Sequence, residues 1–299
     1  MKKVLITGAG GFIGSRVTAA ALKRADWEIH VVTSGKKSRS FPEGVIAHAA
    51  DLGDAANTER LLQEAKPDIL IHLAWALTEK SYINSDSNLL WVENSLRLLR
   101  YFYAGGGDRF VFCGSGAEYR NAGGRASEKP KEDTVNVYGN CKHGFEMISE
   151  HYCRTKGLSY AAARCFSVYG EGDRRPHPAI PSAIMAFKRG EEFLCKSPNN
   201  VWDFVHVDDV AEAIVHIAES DYFGPVNVGT GRPHMMREVF GKIAEIMNCP
   251  ELLKFDENSN NATLLVADPT VLNQEVGYRC EIDLNEGLRR TVQWWLSQN

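Results

Sequence analysis

Short β-branched runs alternate with longer amphipathic segments along the first half of the chain, and this alternation restricts the fold more than any other sequence feature. The segments concerned are residues 4–7, 13–23, 29–33, 58–64, 69–74, 89–103, 110–113, 138–156 and 158–166. Such alternation is typical of βαβ units built on a parallel sheet. We therefore predict an α/β fold in which residues 1–168 form a Rossmann-like, doubly wound dinucleotide-binding domain.

The sequence changes in character after residue 170, where Gly, Pro and charged residues dominate. Shorter elements follow, with helices predicted at 236–247 and 286–296. We predict that residues 169–299 form mainly a smaller C-terminal α/β substrate-binding domain, while a segment of about 201–228 returns to the first domain. Because no flexible linker separates the two units, a cleft between them is expected.

Three glycines, Gly8, Gly11 and Gly14, directly follow the first predicted strand and open the first helix. Glycine permits a tight turn and a close approach of the backbone, and the start of a helix offers unpaired N–H groups to a pyrophosphate. The position of these glycines after an N-terminal strand predicts a dinucleotide site.

Tyr138 and Lys142 are spaced i, i+4 and so lie on one face of the predicted helix at 138–156. A nearby ammonium lowers the high pKa of a phenol and brings it into a useful range for proton transfer. Ser115 ends the strand that precedes this helix. A hydroxyl, a phenol and an ammonium in these places form a candidate catalytic trio.

With these motifs the chain resembles the extended short-chain dehydrogenase/reductase family of nucleotide-sugar epimerases, dehydratases and reductases, over nearly its whole length. Further matching segments are Asp51-Leu52, His72-Leu73-Ala74, 166–170, 203–210 and 227–229. The resemblance implies that Phe12 and Ile13 join the glycines in holding the cofactor, that Asp51 and Leu52 border the adenine, and that Leu73 and Ala74 border the ribose and pyrophosphate.

The resemblance also gives the catalytic residues their roles. In the reducing direction Tyr138 donates a proton to the carbonyl oxygen of the substrate, and Ser115 hydrogen-bonds to that oxygen. Lys142 biases the phenol and is also expected to hold the nicotinamide ribose.

The end of the second predicted strand decides which nicotinamide cofactor fits. NAD-preferring relatives carry an acidic residue there, which accepts hydrogen bonds from the ribose 2′-hydroxyl. This chain has Thr33 and Ser34, followed by Lys36, Lys37 and Arg39. We expect NADP(H) to be favoured over NAD(H), with a solvated surface loop as the alternative interpretation.

The resemblance weakens on the substrate side. Trp202 and Asn258 stand where two arginines usually grip the diphosphate, and Ser167 replaces the usual asparagine. Arg174, Arg175 and His177 are expected to supply replacement charge at the substrate. Trp75, Trp91 and Trp202 are expected to stack on a base or sugar, and Gly116 is also expected at the substrate. A solvated loop for the arginines and simple packing for the tryptophans remain the alternatives.

The residues after Ser115 limit which reaction of this family the chain is expected to catalyse. Gly116 and Ala117 replace the Asp-Glu pair of dehydratases, and Ala117 replaces the extra cysteine of relatives that epimerise beside the ketone. We expect a reductase of the 4-keto group of a nucleotide-linked sugar. The alternatives are a 4-epimerase with tightly bound NAD, a carbonyl reductase whose substrate lacks a nucleotide diphosphate, and a cofactor-sensing or scaffold protein. The base, the sugar and the direction of flux stay open.

Composition argues against several other classes of protein. Lys plus Arg is 34 against 38 Asp plus Glu, without a basic block, so no nucleic-acid partner is expected. The seven cysteines form no C-x-x-C pair, so we predict neither a disulfide framework nor a metal site. No apolar run approaches the ~18 residues of a membrane span. We expect a cytoplasmic protein with a small-molecule substrate and leave the oligomeric state, a homodimer included, open.

Overall fold

The computed structural model describes residues 1–34, 40–77, 82–119, 124–129, 136–175, 178–259 and 262–298. Within these ranges the strands, in chain order, are β1 (Lys2–Thr7), β2 (Trp27–Thr33), β3 (Val45–Ala49), β4 (Ile69–His72), β5 (Arg109–Ser115), β6 (Arg125–Ala126), β7 (Ser159–Cys165), β8 (Ser167–Tyr169), β9 (Phe193–Cys195), β10 (Val201–His206), β11 (Gly224–Val228), β12 (Pro233–Met235), β13 (Leu253–Phe255) and β14 (Leu264–Ala267).

Helices connect most of these strands. In the same ranges they are α1 (Phe12–Ala21), α2 (Ala55–Ala65), α3 (Ser87–Ala104), α4 (Val137–Lys156), α5 (Ala179–Lys188), α6 (Val207–Glu219), α7 (Met236–Ile246), α8 (Thr270–Gln274) and α9 (Leu284–Ser297). None of these helices is both long enough and apolar enough to span a membrane.

Seven strands form one parallel sheet in the order β3-β2-β1-β4-β5-β7-β11. Every neighbouring pair in this sheet is parallel. The chain starts in the middle at β1, builds outward to β3, then returns to build the other half. This confirms the predicted Rossmann-like, doubly wound sheet.

Both faces of this sheet are covered, which explains the continuous apolar runs of its central strands. Successive side chains of β5 illustrate the arrangement, because Phe110 and Phe112 face the layer of α2, α3 and α4, whereas Val111 faces the layer of α1 and α6. All three side chains are fully buried. The core of this unit therefore consists of two apolar layers on either side of one sheet.

A second unit is built around β10. This strand pairs with β8 and β14 in parallel and with β12 in antiparallel orientation. Helices α5, α7 and α9 bury an apolar cluster of their own beside it, which includes Ile184, Phe204, Phe240 and Leu288. Of the segment 201–228, α6 and β11 lie on the large sheet, whereas β10 belongs to this second unit.

Charged groups join the two units next to the cleft. Glu171, in the turn after β8, pairs with Arg16 of α1 at 3.7 Å and with Arg290 of α9 at 3.0 Å. Asp208, in the first turn of α6, also pairs with both arginines. These contacts fix the second unit against the start of α1, where the glycine turn lies.

Candidate active site

The glycine turn between β1 and α1 is closed so tightly that side chains do not fit into it. Gly8 has a φ of 71°, and a Cβ there would lie 2.8 Å from the backbone nitrogen of Ala74. A Cβ at Gly14 would lie 2.1 Å from the carbonyl oxygen of Gly8. Helix α1 starts immediately after Gly11 without a side-chain cap. The turn is thus a bare backbone cradle at a helix N-terminus, which suits a pyrophosphate.

A buried hydrogen-bonded layer supports the segment after β4. The hydroxyl of Thr7 lies 2.7 Å from Nδ1 of His72 and accepts from the backbone N–H groups of Leu73 and Ala74, each at 3.2 Å. Burial lowers the pKa of His72 to about 3, so its imidazole stays neutral. This layer holds the backbone of Leu73 and Ala74 against the glycine turn.

The structure brings Ser115, Tyr138 and Lys142 together at the carboxyl end of the sheet. Ser115 ends β5, and Tyr138 and Lys142 lie in the first turns of α4, whose start is capped by Asn136. The Lys142 ammonium donates to the carbonyl oxygen of Cys113 at 2.7 Å and lies 6.0 Å from the centre of the Tyr138 ring. The three side chains therefore lie together at this edge of the sheet.

Burial shifts the pKa values of two members of this trio, Lys142 and Tyr138. It lowers the pKa of Lys142 to about 8. Burial also raises the pKa of Tyr138, and a hydrogen bond with the Ser115 side chain offsets only part of that rise. The phenol is therefore protonated near neutral pH and able to act as a proton donor until a further positive charge arrives.

Comparison with known proteins agrees with this geometry. The family model for the NAD dependent epimerase/dehydratase family matches residues 4–229. The chain belongs to this epimerase/dehydratase family. It is accordingly an enzyme of the epimerase and oxidoreductase kind, as the assembled trio indicates.

Relatives of this epimerase/dehydratase-family enzyme extend over its full length. The UDP-glucose 4-epimerase of Rhizobium leguminosarum bv. trifolii is 26% identical over 325 residues, covering 99% of this chain and 98% of the relative. The solved UDP-glucose 4-epimerase of Thermus thermophilus, in complex with NAD, is 27% identical with a TM-score of 0.85 and 99% of each chain covered. The fold is also shared with the UDP-glucose 4-epimerase of Thermotoga maritima, solved with UDP-glucose, at a TM-score of 0.88, 24% identity and 98% coverage of each chain.

A cavity of about 410 Å³ lies beside the glycine turn of this family member. It is lined by Ala9, Gly10, Ser15, Thr18, Ser40, Phe41 and Pro42. The hydroxyl of Thr33, at the end of β2, donates to the carbonyl oxygen of His48 at 3.4 Å, and Ser34 is exposed. Three cations predicted for the 2′-phosphate lie outside the described residues, namely Lys36, Lys37 and Arg39.

Four other predicted cofactor residues lie near the glycine turn or after β3. Ile13 of α1 packs against the core, and Phe12 starts that helix. Asp51 accepts from the backbone N–H of Gly53 at 2.9 Å, which shapes the turn before α2, and Leu52 is buried beneath it.

Arg174 and Arg175, both predicted to lie at the substrate, contact different parts of the structure. Arg174 donates to Gln298 at 3.0 Å and lies over Trp294 at 5.5 Å, so it contacts the end of α9 and is not brought to the trio. Arg175 lies 5.2 Å from the ring of Phe12 at the glycine turn and is held there by Asp173 at 2.7 Å. Only Arg175 of this pair therefore lies at the glycine turn.

The remaining predicted substrate residues are dispersed. Gly116 is buried directly after Ser115, and a Cβ there would lie 3.4 Å from Cα of Phe166. Ser167 is half-buried in β8. Trp202 lies in β10 and donates from its indole nitrogen to Thr263 at 3.0 Å. His177 lies outside the described residues.

Glu118, a buried acidic residue that sequence reasoning missed, binds the backbone of Ser115. Glu118 accepts from the backbone N–H of Ser115 at 2.6 Å, while the Ser115 hydroxyl accepts from Ala117 at 3.1 Å. Arg164 lies 3.6 Å from Glu118 and makes a paired contact with Glu146. Burial and the charge of Glu146 raise the pKa of Glu118, which favours its neutral acid form. The Ser-x-x-Glu spacing of a capping box was the available signal.

Proposed function

We propose that this enzyme is a nucleotide-sugar 4-epimerase that inverts the C4 hydroxyl of a UDP-linked hexose. The observation that carries the proposal is the assembled trio of Ser115, Tyr138 and Lys142 beside the glycine turn. Full-length similarity to proteins named UDP-glucose 4-epimerases supports it. The order of our sequence-based alternatives is thereby reversed, because these relatives favour the epimerase over the 4-ketoreductase.

The residues that follow Ser115 support a reaction confined to one carbon. Gly116 and Ala117 bring no acid or base to the substrate side, and the Glu118 carboxyl is turned toward the Ser115 backbone. Loss of water from the sugar, or removal of a proton beside the ketone, needs an additional acid or base. Hydride transfer at C4 to and from a bound nicotinamide needs no acid or base of the chain beyond the trio.

The chain's own groups would act as follows. Tyr138 accepts the proton of the C4 hydroxyl as the alcohol becomes a ketone and returns it when the ketone is reduced from the other face. Ser115 donates a hydrogen bond to the same oxygen, and the charge of Lys142 favours the phenolate form of Tyr138. Gly8, Gly14 and the start of α1 fit a nicotinamide dinucleotide, which when bound supplies the hydride acceptor and donor.

For the cofactor we keep two candidates. A 4-epimerase recycles a tightly held NAD, and the similar Thermus thermophilus structure contains NAD. The described end of β2 carries the hydroxyl residues Thr33 and Ser34 and no carboxylate, which supports NADP(H) and with it net reduction. A 4-keto-sugar reductase using NADP(H) is therefore the second candidate function.

Mass spectrometry of the denatured protein, combined with an assay without added cofactor, tests these proposals. We expect a nicotinamide dinucleotide to be released in near-stoichiometric amount, and we expect the purified protein to interconvert UDP-glucose and UDP-galactose. Protein that is free of cofactor and consumes one added NADPH for each keto-sugar reduced would be a reductase. Absence of both activities would contradict both candidates.

We also propose that the enzyme forms a homodimer through α3 and α4. These helices pack side by side and leave large apolar side chains exposed. The exposed side chains are Leu89, Leu90 and Tyr103 on α3 and Met147 and Ile148 on α4. Large apolar side chains exposed on two neighbouring helices are typical of a protein–protein contact.

A further inference from the structure

Aromatic side chains enclose the catalytic phenol and ammonium. The Lys142 ammonium lies 4.0 Å from the centre of the Trp75 ring and 4.6 Å from that of Phe112. Trp75 also meets Tyr138 edge-on at 6.5 Å, and Tyr82 meets it from another direction at 5.4 Å. Trp75 thus contacts both members of the Tyr138–Lys142 pair.

The indole of Trp75 is fixed on two sides. Its ring nitrogen donates to the side-chain oxygen of Asn88 at 2.9 Å. Asn88 is fully buried and donates in turn to the carbonyl oxygens of Tyr82 at 2.6 Å and Ser85 at 2.9 Å. Trp91 stacks on Trp75 with ring centres 6.3 Å apart and planes 27° apart. Together these contacts hold the plane of the indole ring in place.

Lys142 needs such a partner because it is almost completely buried, with 3% of its surface exposed. In the described part of the chain no carboxylate forms an ion pair with it, and the carbonyl oxygen of Cys113 accepts only one of its three N–H bonds. A buried ammonium without compensation is costly, and the face of an indole is the most favourable aromatic partner for a cation.

We propose that Trp75 is a positioning residue of the catalytic site, whose indole face holds the Lys142 ammonium beside Tyr138 while Asn88 and Trp91 keep the indole in place. The inference rests on the proposed function only for its catalytic consequence. The contact itself predicts that the electron density of one indole ring contributes to the pKa of Lys142, beside the effects of burial, Cys113, Glu118 and Cys165. Our sequence-based alternatives for Trp75 were stacking on a substrate or packing.

Fluorinated tryptophans test this contact, because each added fluorine withdraws electron density from the ring face with little change in shape. The protein would be produced with tryptophan carrying increasing numbers of fluorines and with ¹³C at the ε-carbon of lysine. A Lys142→Arg sample identifies the Lys142 signal. We expect the Lys142 pKa to fall stepwise along the series, by about one pH unit in total.

Trp75→Phe is the matched control, since its other five tryptophans are fluorinated in the same way. In this variant the Lys142 pKa should be the same with every analogue. A Lys142 pKa that ignores fluorination in the unsubstituted protein, or follows it equally in Trp75→Phe, would overturn the proposal. The titration needs no substrate, so a failure of the epimerase assignment is seen separately, in the activity assay. Where activity is found, the pH–rate profile should move in the same order as the Lys142 pKa.

Discussion

Tyr138 is the residue on which the chemistry depends most directly. Its phenol is buried, contacts Ser115 and faces the Lys142 ammonium. Tyr138→Phe should lower kcat by roughly two to four orders of magnitude, the usual loss for a missing general acid or base, while cofactor binding stays nearly intact. Steady-state kinetics and a cofactor titration measure the two quantities.

Ser115→Ala provides the graded comparison. It removes one hydrogen bond to the substrate oxygen but leaves the proton donor, so kcat should fall less than in Tyr138→Phe. Turnover that is unaltered in Tyr138→Phe would remove this residue from the mechanism.

Lys142 gives the protein a specific dependence of stability on pH. Its pKa is about 8 in the folded chain, below the ordinary 10.5, so between these values unfolding takes up a proton. The free energy of unfolding of the natural protein, relative to Lys142→Met, should therefore rise as the pH increases from 8 to 10.5. At 1.36 kcal/mol per pH unit the upper bound is roughly 3 kcal/mol.

Denaturant titrations of both proteins at pH 7, 8, 9 and 10 check this difference. Below pH 8 the lysine is charged in both states and the difference should be constant. A difference that stays flat up to pH 10 would show that Lys142 is not desolvated as the structure indicates.

Arg175 and Arg174 form a natural pair of test and control. Arg175 faces the glycine turn, and Arg174 contacts the end of α9. If Arg175 supplies positive charge for the substrate diphosphate, Arg175→Ala should raise the KM for the nucleotide sugar about tenfold or more. Its effect on kcat should be smaller.

Arg174→Ala should leave KM and kcat near the values of the natural protein. Thermal melting of each variant identifies losses due to unfolding, because Arg175→Ala leaves the buried Asp173 without its partner. An equal rise of KM in the two variants would contradict the assignment of Arg175.

Sequence reasoning at this scale predicted which side chains lie together where chemistry limits the residue type. Ser115, Tyr138 and Lys142 were found because a hydroxyl, a phenol and an ammonium stand at strand and helix ends. It could not separate Arg174 from Arg175, since adjacent residues in an irregular turn point in directions that only tertiary contacts determine. It missed Glu118 because a buried carboxyl needs partners from distant segments, here Arg164 and Glu146.

At the scale of elements, the site is formed where parallel strands end. The carboxyl ends of β1, β4 and β5 lie at one edge of the sheet, and α4 crosses above them with Tyr138 and Lys142 in its first turns. Open α/β sheets bind their ligands at this edge. The alternation of elements predicted this arrangement, whereas the short strands of the second unit carry too little periodicity to be paired from sequence.

The glycine turn allows a graded test of the cradle. Gly14→Ala places a Cβ 2.1 Å from the Gly8 carbonyl oxygen, a distance that forces the backbone to move, whereas Gly11→Ala leaves 3.1 Å. Gly14→Ala should weaken cofactor binding at least tenfold, and Gly11→Ala should weaken it less. Isothermal calorimetry with NAD and NADP measures both variants, and equal affinities in the two would argue that the turn does not hold the cofactor.

At the scale of the whole molecule, the α3–α4 surface predicts self-association. Met147→Lys places a charge in the proposed contact and should convert a dimer into a monomer in sedimentation velocity. Ile46→Lys is the control, since Ile46 is also an exposed apolar residue but lies in β3 at the far edge of the sheet. A natural protein that is already monomeric, or dissociation caused equally by both changes, would contradict this interface.

The central claim is that one retained cofactor removes and returns the same hydrogen at C4 of a nucleotide sugar. The most direct measurement incubates the purified protein, without added cofactor, with UDP-glucose that carries deuterium at C4. The account predicts that UDP-galactose accumulates and that NMR finds the deuterium still at C4. Failure to invert any of the UDP-, dTDP-, GDP- and CDP-linked hexoses, or a product that forms only while added NADPH is consumed one for one, would contradict it.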